Sequence, residues 1–379
     1  MLPRRQPTHW FFFGMGVLLV GVVVVLNLAV VTNFKQLGNL VQVVRLVHDQ
    51  YVEATNSELM IEGAIRGMVE ALDDPYSVYL EPETYARFLE QVEGSFGGIG
   101  ILVGYRDEGL TVVRPYEGTP AAEAGLRAGD LILAVDGKDT QEMDLETAVM
   151  LMRGEVGTEV QLTIRRGSQE PLEFTVVRRQ IEVPTVEGEL KDGGIGYVVL
   201  SQFTEKTGGE LAYLLNSFES RMRGLILDLR DNPGGDLMAA VEVADLFVDD
   251  GPIVHIDYRT GEDETYYAEK HRLEVPLVVL VNRTTASAAE IVAGAVKDTD
   301  SGVLVGTQTY GKGVVQNVFP LRNGAGLKLT TARYLTPSGY DLNQMGIEPH
   351  IQVEEADDFE SDPQLEKALE ILKAGLNSR

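Results

Sequence analysis

The chain has 379 residues, enough for two or three domains, and carries 32 Lys+Arg against 58 Asp+Glu, a formal net charge of −26. A surface that acidic repels phosphate backbones and argues against nucleic acid as a partner. No cysteine is present, which removes disulfides, thiolate nucleophiles and Cys-ligated metal sites, and the five histidines (His9, His48, His255, His271, His350) form no closely spaced metal motif.

Residues 1–33 read as a cytoplasmic tip followed by a membrane anchor. Arg4 and Arg5 precede Trp10 to Val31, a run of 22 residues without a charge. At 1.5 Å rise per residue that run spans a hydrocarbon core of roughly 30 Å. No Ala-x-Ala cleavage site follows, so the segment is expected to be an uncleaved single-pass signal anchor. The arginines stay inside by the charge rule, which places the rest of the chain outside the cytoplasm.

Residues 34–93 repeat apolar side chains at helical spacing, with Leu40, Val43, Val44, Val47 and Tyr51 in one stretch and Leu59, Ile61, Ile65, Met68 and Val69 in the next. Asn56 or Ser57 is placed to cap the second helix, Asp73-Asp74-Pro75 ends it, and Pro82 marks a third. These helices are either plain structural helices or a packing module through which copies of the chain associate.

Over residues 94–180 the period changes to that of strands: Ile99, Ile101 and Val103 alternate, and Leu131 to Val135, Val160 to Ile164 and Phe174 to Val176 follow. Leu145 to Arg153 is the one clear helix. Gly97-Gly98-Ile99-Gly100-Ile101, then Pro120-Ala121, Ala124-Gly125-Leu126 and Gly129-Asp130, resembles a PDZ domain of the bacterial protease-associated type. In such a domain the N–H groups of Gly98, Ile99, Gly100 and Ile101 would form a nest for a terminal carboxylate, and the peptide would add as a strand. Taken alone, the glycine-rich strand start is explained equally well by a tight turn.

Residues 181–360 alternate strand and helix: Ile195–Leu200, a helix Gly209–Arg223, Gly224–Arg230, a helix Leu237–Phe247, Leu277–Val281, a helix Ala286–Asp298 and Val303–Gly306. This is an α/β layout with mainly parallel strands, whose chemistry belongs at the carboxyl ends of the strands. A C-terminal helix is expected over 361–379. Gly306 to Lys312 reads as GxxxxGK, but Gly313 stands where a phosphate loop needs Ser or Thr, and the β-branched residues after it read as a strand. Nucleotide binding is set aside on that ground.

Ser287 follows a strand at the start of a helix of small residues, where a serine is ordinarily just a cap. With no histidine available, a lysine is the alternative base, and burial of Lys312 among Gly311, Gly313 and valines would favour its neutral form. Lys312, Val314 and Gln316 alternate onto one strand face, so Gln316 is either an orienting amide for Lys312 or a solvated strand residue.

The segments Thr285-Ala286-Ser287-Ala288-Ala289-Glu290-Ile291, Tyr310-Gly311-Lys312-Gly313-Val314-Val315-Gln316 and Leu227-Asp228-Leu229-Arg230-Asp231-Asn232-Pro233-Gly234-Gly235 resemble the carboxyl-terminal processing (tail-specific) proteases, in the same domain order. The resemblance implies an α+β multidomain endopeptidase with no metal or cofactor. Ser287 would be its nucleophile, Lys312 its base and Gln316 its orienting residue. The oxyanion would be held by backbone N–H groups of Ala288 and of Gly234 or Gly235. Its substrates would be extracytoplasmic proteins with accessible or unfolded carboxyl tails. Tyr310 stands where phenylalanine is more usual, and His350 where aspartate is. The rival reading is a membrane-tethered PDZ adaptor with an inactive protease-like domain, in which Ser287 or Lys312 would have been lost.

Overall fold

A computed structural model describes residues 37–93, 95–106, 109–141, 143, 145–167, 169–218, 221–269, 273–356 and 361–377. The expected anchor, residues 10–31, lies outside them, and among the described residues no helix is long and apolar enough to cross a membrane. The chain divides after Tyr79 into two units.

The first unit carries helices α1 (Leu37–Gln50) and α2 (Ser57–Glu70). Asn56 caps α2, its side chain accepting the N–H groups of Glu58 at 2.9 Å and Leu59 at 3.3 Å. Strand β1 (Val78–Leu80) follows.

The second unit opens with α3 (Pro82–Glu93) and β2 (Ser95–Gly98). A five-strand antiparallel sheet comes next: β3 (Ile101–Arg106), β4 (Gly109–Pro115), β5 (Leu131–Val135), β7 (Glu159–Arg165) and β8 (Leu172–Val177), in the order β3-β4-β5-β7-β8. Strand β3 is an edge. The two-residue β6 (Lys138–Asp139) pairs with β5, and helices α4 (Pro120–Glu123) and α5 (Leu145–Met152) cover the sheet. Ile99, Val112, Ile132, Leu162 and Ala148 share its dry core. Strand β9 (Arg179–Glu182) returns to pair with β2, so this pairing straddles the expected boundary at residue 180.

The remaining chain builds a six-strand sheet from β10 (Val186–Lys191), β11 (Ile195–Leu200), β12 (Gly224–Asp228), β15 (Leu277–Val281), β16 (Val303–Gly306) and β19 (Ile351–Gln352). Only β10 runs antiparallel to its neighbour. Every residue of β12 and β15 is buried because helices cover both faces, as a parallel sheet requires. Leu225, Leu227 and Val279 face α6 (Thr207–Phe218), α7 (Leu237–Asp245) and α8 (Ala288–Asp298). Ile226, Val278 and Leu280 face Ala368 and Leu372 of α9 (Pro363–Asn377). Arg230 fastens α9 to the sheet: its Nε donates to Asp228 at 2.9 Å and its Nη1 and Nη2 to Asp362 at 2.8 and 2.9 Å.

A second, antiparallel sheet pairs β13 (Pro252–Tyr258) with β14 (Glu264–Tyr267) and β18 (Gly326–Leu335), and β18 with β17 (Val314–Pro320). The sequence reading anticipated only β17 of this group. Helix α8 also starts two residues later than expected, because Ser287 leaves helical geometry.

Candidate active site

The turn between β15 and α8 fixes Ser287. Asn282 N–H donates to Thr285 Oγ1 at 2.9 Å, Thr285 Oγ1 donates to the Leu229 carbonyl at 2.8 Å, and Ala286 N–H donates to the Asn232 carbonyl at 3.0 Å. The turn delivers Ser287 at φ 56°, ψ −120°, a backbone that a non-glycine residue keeps only where its surroundings over-determine it. Gly234 is packed so tightly here that a Cβ on it would lie 2.7 Å from Ser287 Cβ and 2.9 Å from Ala288 N. Only glycine fits.

Glu290, the third residue of α8, is fully buried. Its Oε2 accepts the N–H groups of Ser287 and Lys312, each at 2.9 Å, and its Oε1 accepts the Gly311 N–H at 2.7 Å and the Thr309 hydroxyl. One carboxylate therefore holds the serine turn and the lysine loop together. Burial pushes the Glu290 carboxyl up from its ordinary value while these four donors oppose the shift. The sequence reading gave Glu290 no role, although the Ser-x-x-Glu spacing of a capping box was there to find.

Lys312 lies just before β17, half-buried, with Tyr334 Oη donating to its carbonyl. Burial lowers the Lys312 ammonium from its ordinary value; the positive charge of Lys328 lowers it further and Glu290 opposes. A strand, not a helix, follows Gly313, so the GxxxxGK run makes no phosphate loop. Gln316 shares a strand face with Val314, but its Nε2 donates to the Val314 carbonyl at 3.3 Å.

The expected oxyanion donors divide. The Gly234 N–H is taken by Asn232 Oδ1 at 2.8 Å. Among the described residues the N–H groups of Gly235 and Ala288 donate to no acceptor.

In the smaller domain the loop between β2 and β3 is tied by its carbonyls alone. The Ile99 carbonyl accepts Ala121 N–H at 2.9 Å, and the Gly100 carbonyl accepts Tyr116 N–H and Thr119 Oγ1, each at 3.0 Å. The N–H groups of Ile99 and Gly100 donate to no acceptor among the described residues. Gly100 adopts φ 77°, and a Cβ on it would meet Thr119 at 2.4 Å. Gly98 pairs with Arg179 across β2 and β9, and Ile101 opens β3 opposite Pro115.

Comparison with known proteins matches three stretches of the chain. Residues 194–353 match the model of peptidase family S41, residues 111–166 a PDZ domain, and residues 27–84 the N-terminal domain of the activating protease CtpB. The carboxy-terminal processing protease CtpA of Bacillus subtilis is 39% identical over 311 residues, covering 81% of this chain and 67% of that protein. The carboxy-terminal-processing protease of Bartonella bacilliformis is 40% identical over 358 residues, covering 91% and 82%. Among solved structures, the photosystem II D1 C-terminal processing protease superposes with TM-score 0.50 at 32% identity, covering 83% of this chain and 92% of that one. With relatives this similar over most of its length, the chain belongs to the carboxy-terminal processing proteases, PDZ-containing serine peptidases of family S41.

Proposed function

We propose that Ser287 is the nucleophile and Lys312 the general base of this peptidase, which cuts extracytoplasmic polypeptides near their carboxyl ends. The observation that carries the reading is Glu290, whose one carboxylate receives the backbone N–H of both residues. In the reaction the neutral Lys312 amine takes the Ser287 proton and the oxygen attacks the scissile carbonyl. The N–H groups of Ala288 and Gly235 hold the oxyanion, a stabilisation of a few kcal/mol per donor. The ammonium returns its proton to the leaving amine, and water then releases the acyl group with the same lysine as base. The depressed Lys312 pKa supports this role, because only the free amine accepts a proton. Gln316 orients the Lys312 amine, its Nε2 anchored on the Val314 carbonyl.

Substrate tails enter through the PDZ domain. The open N–H groups of Ile99 and Gly100, between Gly98 and Ile101, donate to the terminal carboxylate, and the tail lies along the free edge of β3. Residues 10–31 hold the chain in the bilayer with the catalytic part outside the cytoplasm, and α1, which buries no residue and exposes Leu40, Val43 and Leu46, supplies a surface for association of copies. Deletion of residues 1–33 should move the chain from the membrane pellet to the soluble fraction.

The deciding experiment incubates the purified chain with an unfolded protein. Fragments should appear, and Ser287→Ala should produce none. Equal cleavage by Ser287→Ala would end the proposal. Retention of both Ser287 and Lys312 argues against the inactive adaptor.

A further inference from the structure

Thr119 stands at the N-cap of α4, with extended backbone at φ −93° and ψ 158°. A threonine hydroxyl placed there ordinarily accepts an N–H of the first helical turn. This one makes no such bond. The residue is buried, and its Oγ1 turns away from the helix, 3.0 Å from the Gly100 carbonyl and 2.7 Å from the Tyr116 carbonyl, a three-centre donation. The Gly100 carbonyl accepts the Tyr116 N–H as well, at 3.0 Å. A local cap has been given up for a contact with the loop between β2 and β3.

A peptide unit is planar and trans, so its carbonyl and its N–H point in opposite directions. Tying the Ile99 carbonyl to the Ala121 N–H turns the Gly100 N–H outward, and tying the Gly100 carbonyl turns the Ile101 N–H outward. The strand register agrees. With Tyr116 donating to Gly100, Ile101 and Pro115 form a non-hydrogen-bonded pair, and the Ile101 N–H faces the free edge of β3. The two planes are secured differently, the first by backbone alone and the second with a side chain. Gly100, at φ 77°, lets the second plane turn over at little steric cost. Turned over, it would present a carbonyl oxygen, which repels a carboxylate and accepts from a terminal amide.

We infer that Thr119 is a positioning residue for substrate reading: its hydroxyl fixes the Gly100–Ile101 plane with the N–H outward, and so makes the domain select a free carboxyl terminus over an amidated one. The inference rests on the reading that this loop takes the terminal carboxylate, and adds the side chain that aims it.

The test is cleavage, by the full chain in detergent, of one peptide made both as the free acid and as the carboxamide. The quantity read is the ratio of kcat/KM for the acid to that for the amide, in the parent, Thr119→Val and Thr119→Ser. Valine keeps the branched shape and suits the extended backbone before Pro120, but has no hydroxyl. The parent should favour the acid roughly tenfold. In Thr119→Val that ratio should fall roughly fivefold, with the loss in KM for the acid, and Thr119→Ser should keep the parental ratio. Damage to packing or to the catalytic core slows both substrates alike and leaves the ratio where it was. If Thr119→Val does not fold, Thr119→Ala removes the same hydroxyl without adding a branch and carries the same expectation. A parent without preference would overturn the carboxylate reading, and this inference with it. A discriminating parent beside a hydroxyl-free variant that discriminates equally, or a serine variant that loses the preference as valine does, would overturn the role of Thr119 alone.

Discussion

The loop at Gly98–Ile101 and the loops around Ser287 are both glycine-rich and both present backbone N–H groups, yet they are built in opposite ways. Around Ser287 side chains already take most of the backbone donors, those of Ala288 and Gly235 excepted. Glu290 accepts four donors, and buried Asn232 bonds both the Leu200 carbonyl and the Gly234 N–H. In the PDZ domain the carbonyls are tied while the N–H groups of Ile99 and Gly100 stay open at an edge strand. A reading site can wait for a ligand that brings its own acceptors. A cutting site must hold its geometry before the substrate arrives, because donors organised in advance need no rearrangement during reaction.

The largest effect should come from breaking the core. Lys312→Arg keeps the charge but offers no neutral amine, so cleavage should fall to the level of Ser287→Ala while thermal melting stays near that of the parent. Appreciable turnover by the arginine variant would remove lysine from the base role. In the parent, log kcat/KM should climb with pH and level off below the ordinary lysine value of 10.5.

Glu290→Gln comes next. It replaces a four-fold acceptor by an amide whose NH₂ faces N–H donors, and a loss of about 100-fold in kcat is expected, near 3 kcal/mol, with KM little changed. The carboxylate also raises the Lys312 pKa. The pH midpoint of the variant should therefore move to lower pH, which damage to packing alone would not produce. An unmoved midpoint would reduce Glu290 to a structural residue.

The reading site is tested by amidating a substrate's carboxyl terminus. Loss of a charge-assisted hydrogen bond should lower kcat/KM roughly tenfold at low substrate and leave kcat at saturation intact. Identical use of free-acid and amidated tails would show that the loop does not read the carboxylate.

The smallest effect concerns His350. Its Nδ1 accepts the Leu304 N–H at 2.9 Å, the part a carboxylate oxygen would take. Burial and Lys297 lower its pKa, with Asp300 opposing. The neutral ring is thus the stabilised form. Its contribution is complete above the unfolded value of 6.5 and fades as pH falls through the lower folded value. His350→Asp should melt within a degree or two of the parent at neutral pH and gain on it as pH falls below 6.5, where the parent loses the contribution of its neutral ring. Parallel melting curves across that range would contradict it.

The parallel sheet was legible because its strands are unbroken apolar runs: Ile195–Leu200, Leu277–Val281 and Val303–Gly306 stand where expected. Strand β18 was not, since Lys328, Thr330, Thr331 and Arg333 interrupt its apolar residues and most of it is only half-buried. The serine and lysine segments were visible as motifs, but the clamp between them was not. A glutamate in the first turn of a helix ordinarily complements the helix dipole in solvent, and nothing local reveals that this one is buried. Likewise, strand alternation does not show that the Gln316 amide donates to the Val314 carbonyl.

Residues Ala288 to Val296 of α8 are all buried, and a Cβ on Gly294 would stand 3.0 Å from Thr336 and 3.2 Å from Ile347. A helix enclosed on every side cannot slide without opening the core, and Ser287 is welded to its first turn. Lys312 rides instead on a loop leading into a strand that is mostly half-buried or exposed. The serine is thus the fixed jaw of a vice, and the lysine loop is the jaw hung on it through the Glu290 bonds to Gly311 and Lys312. On the proposed mechanism, idling the enzyme without unfolding it means loosening that hold on Lys312, so a mutation or ligand that silences cleavage while sparing the melting temperature should act on residues 307–313 or β17, not on α8.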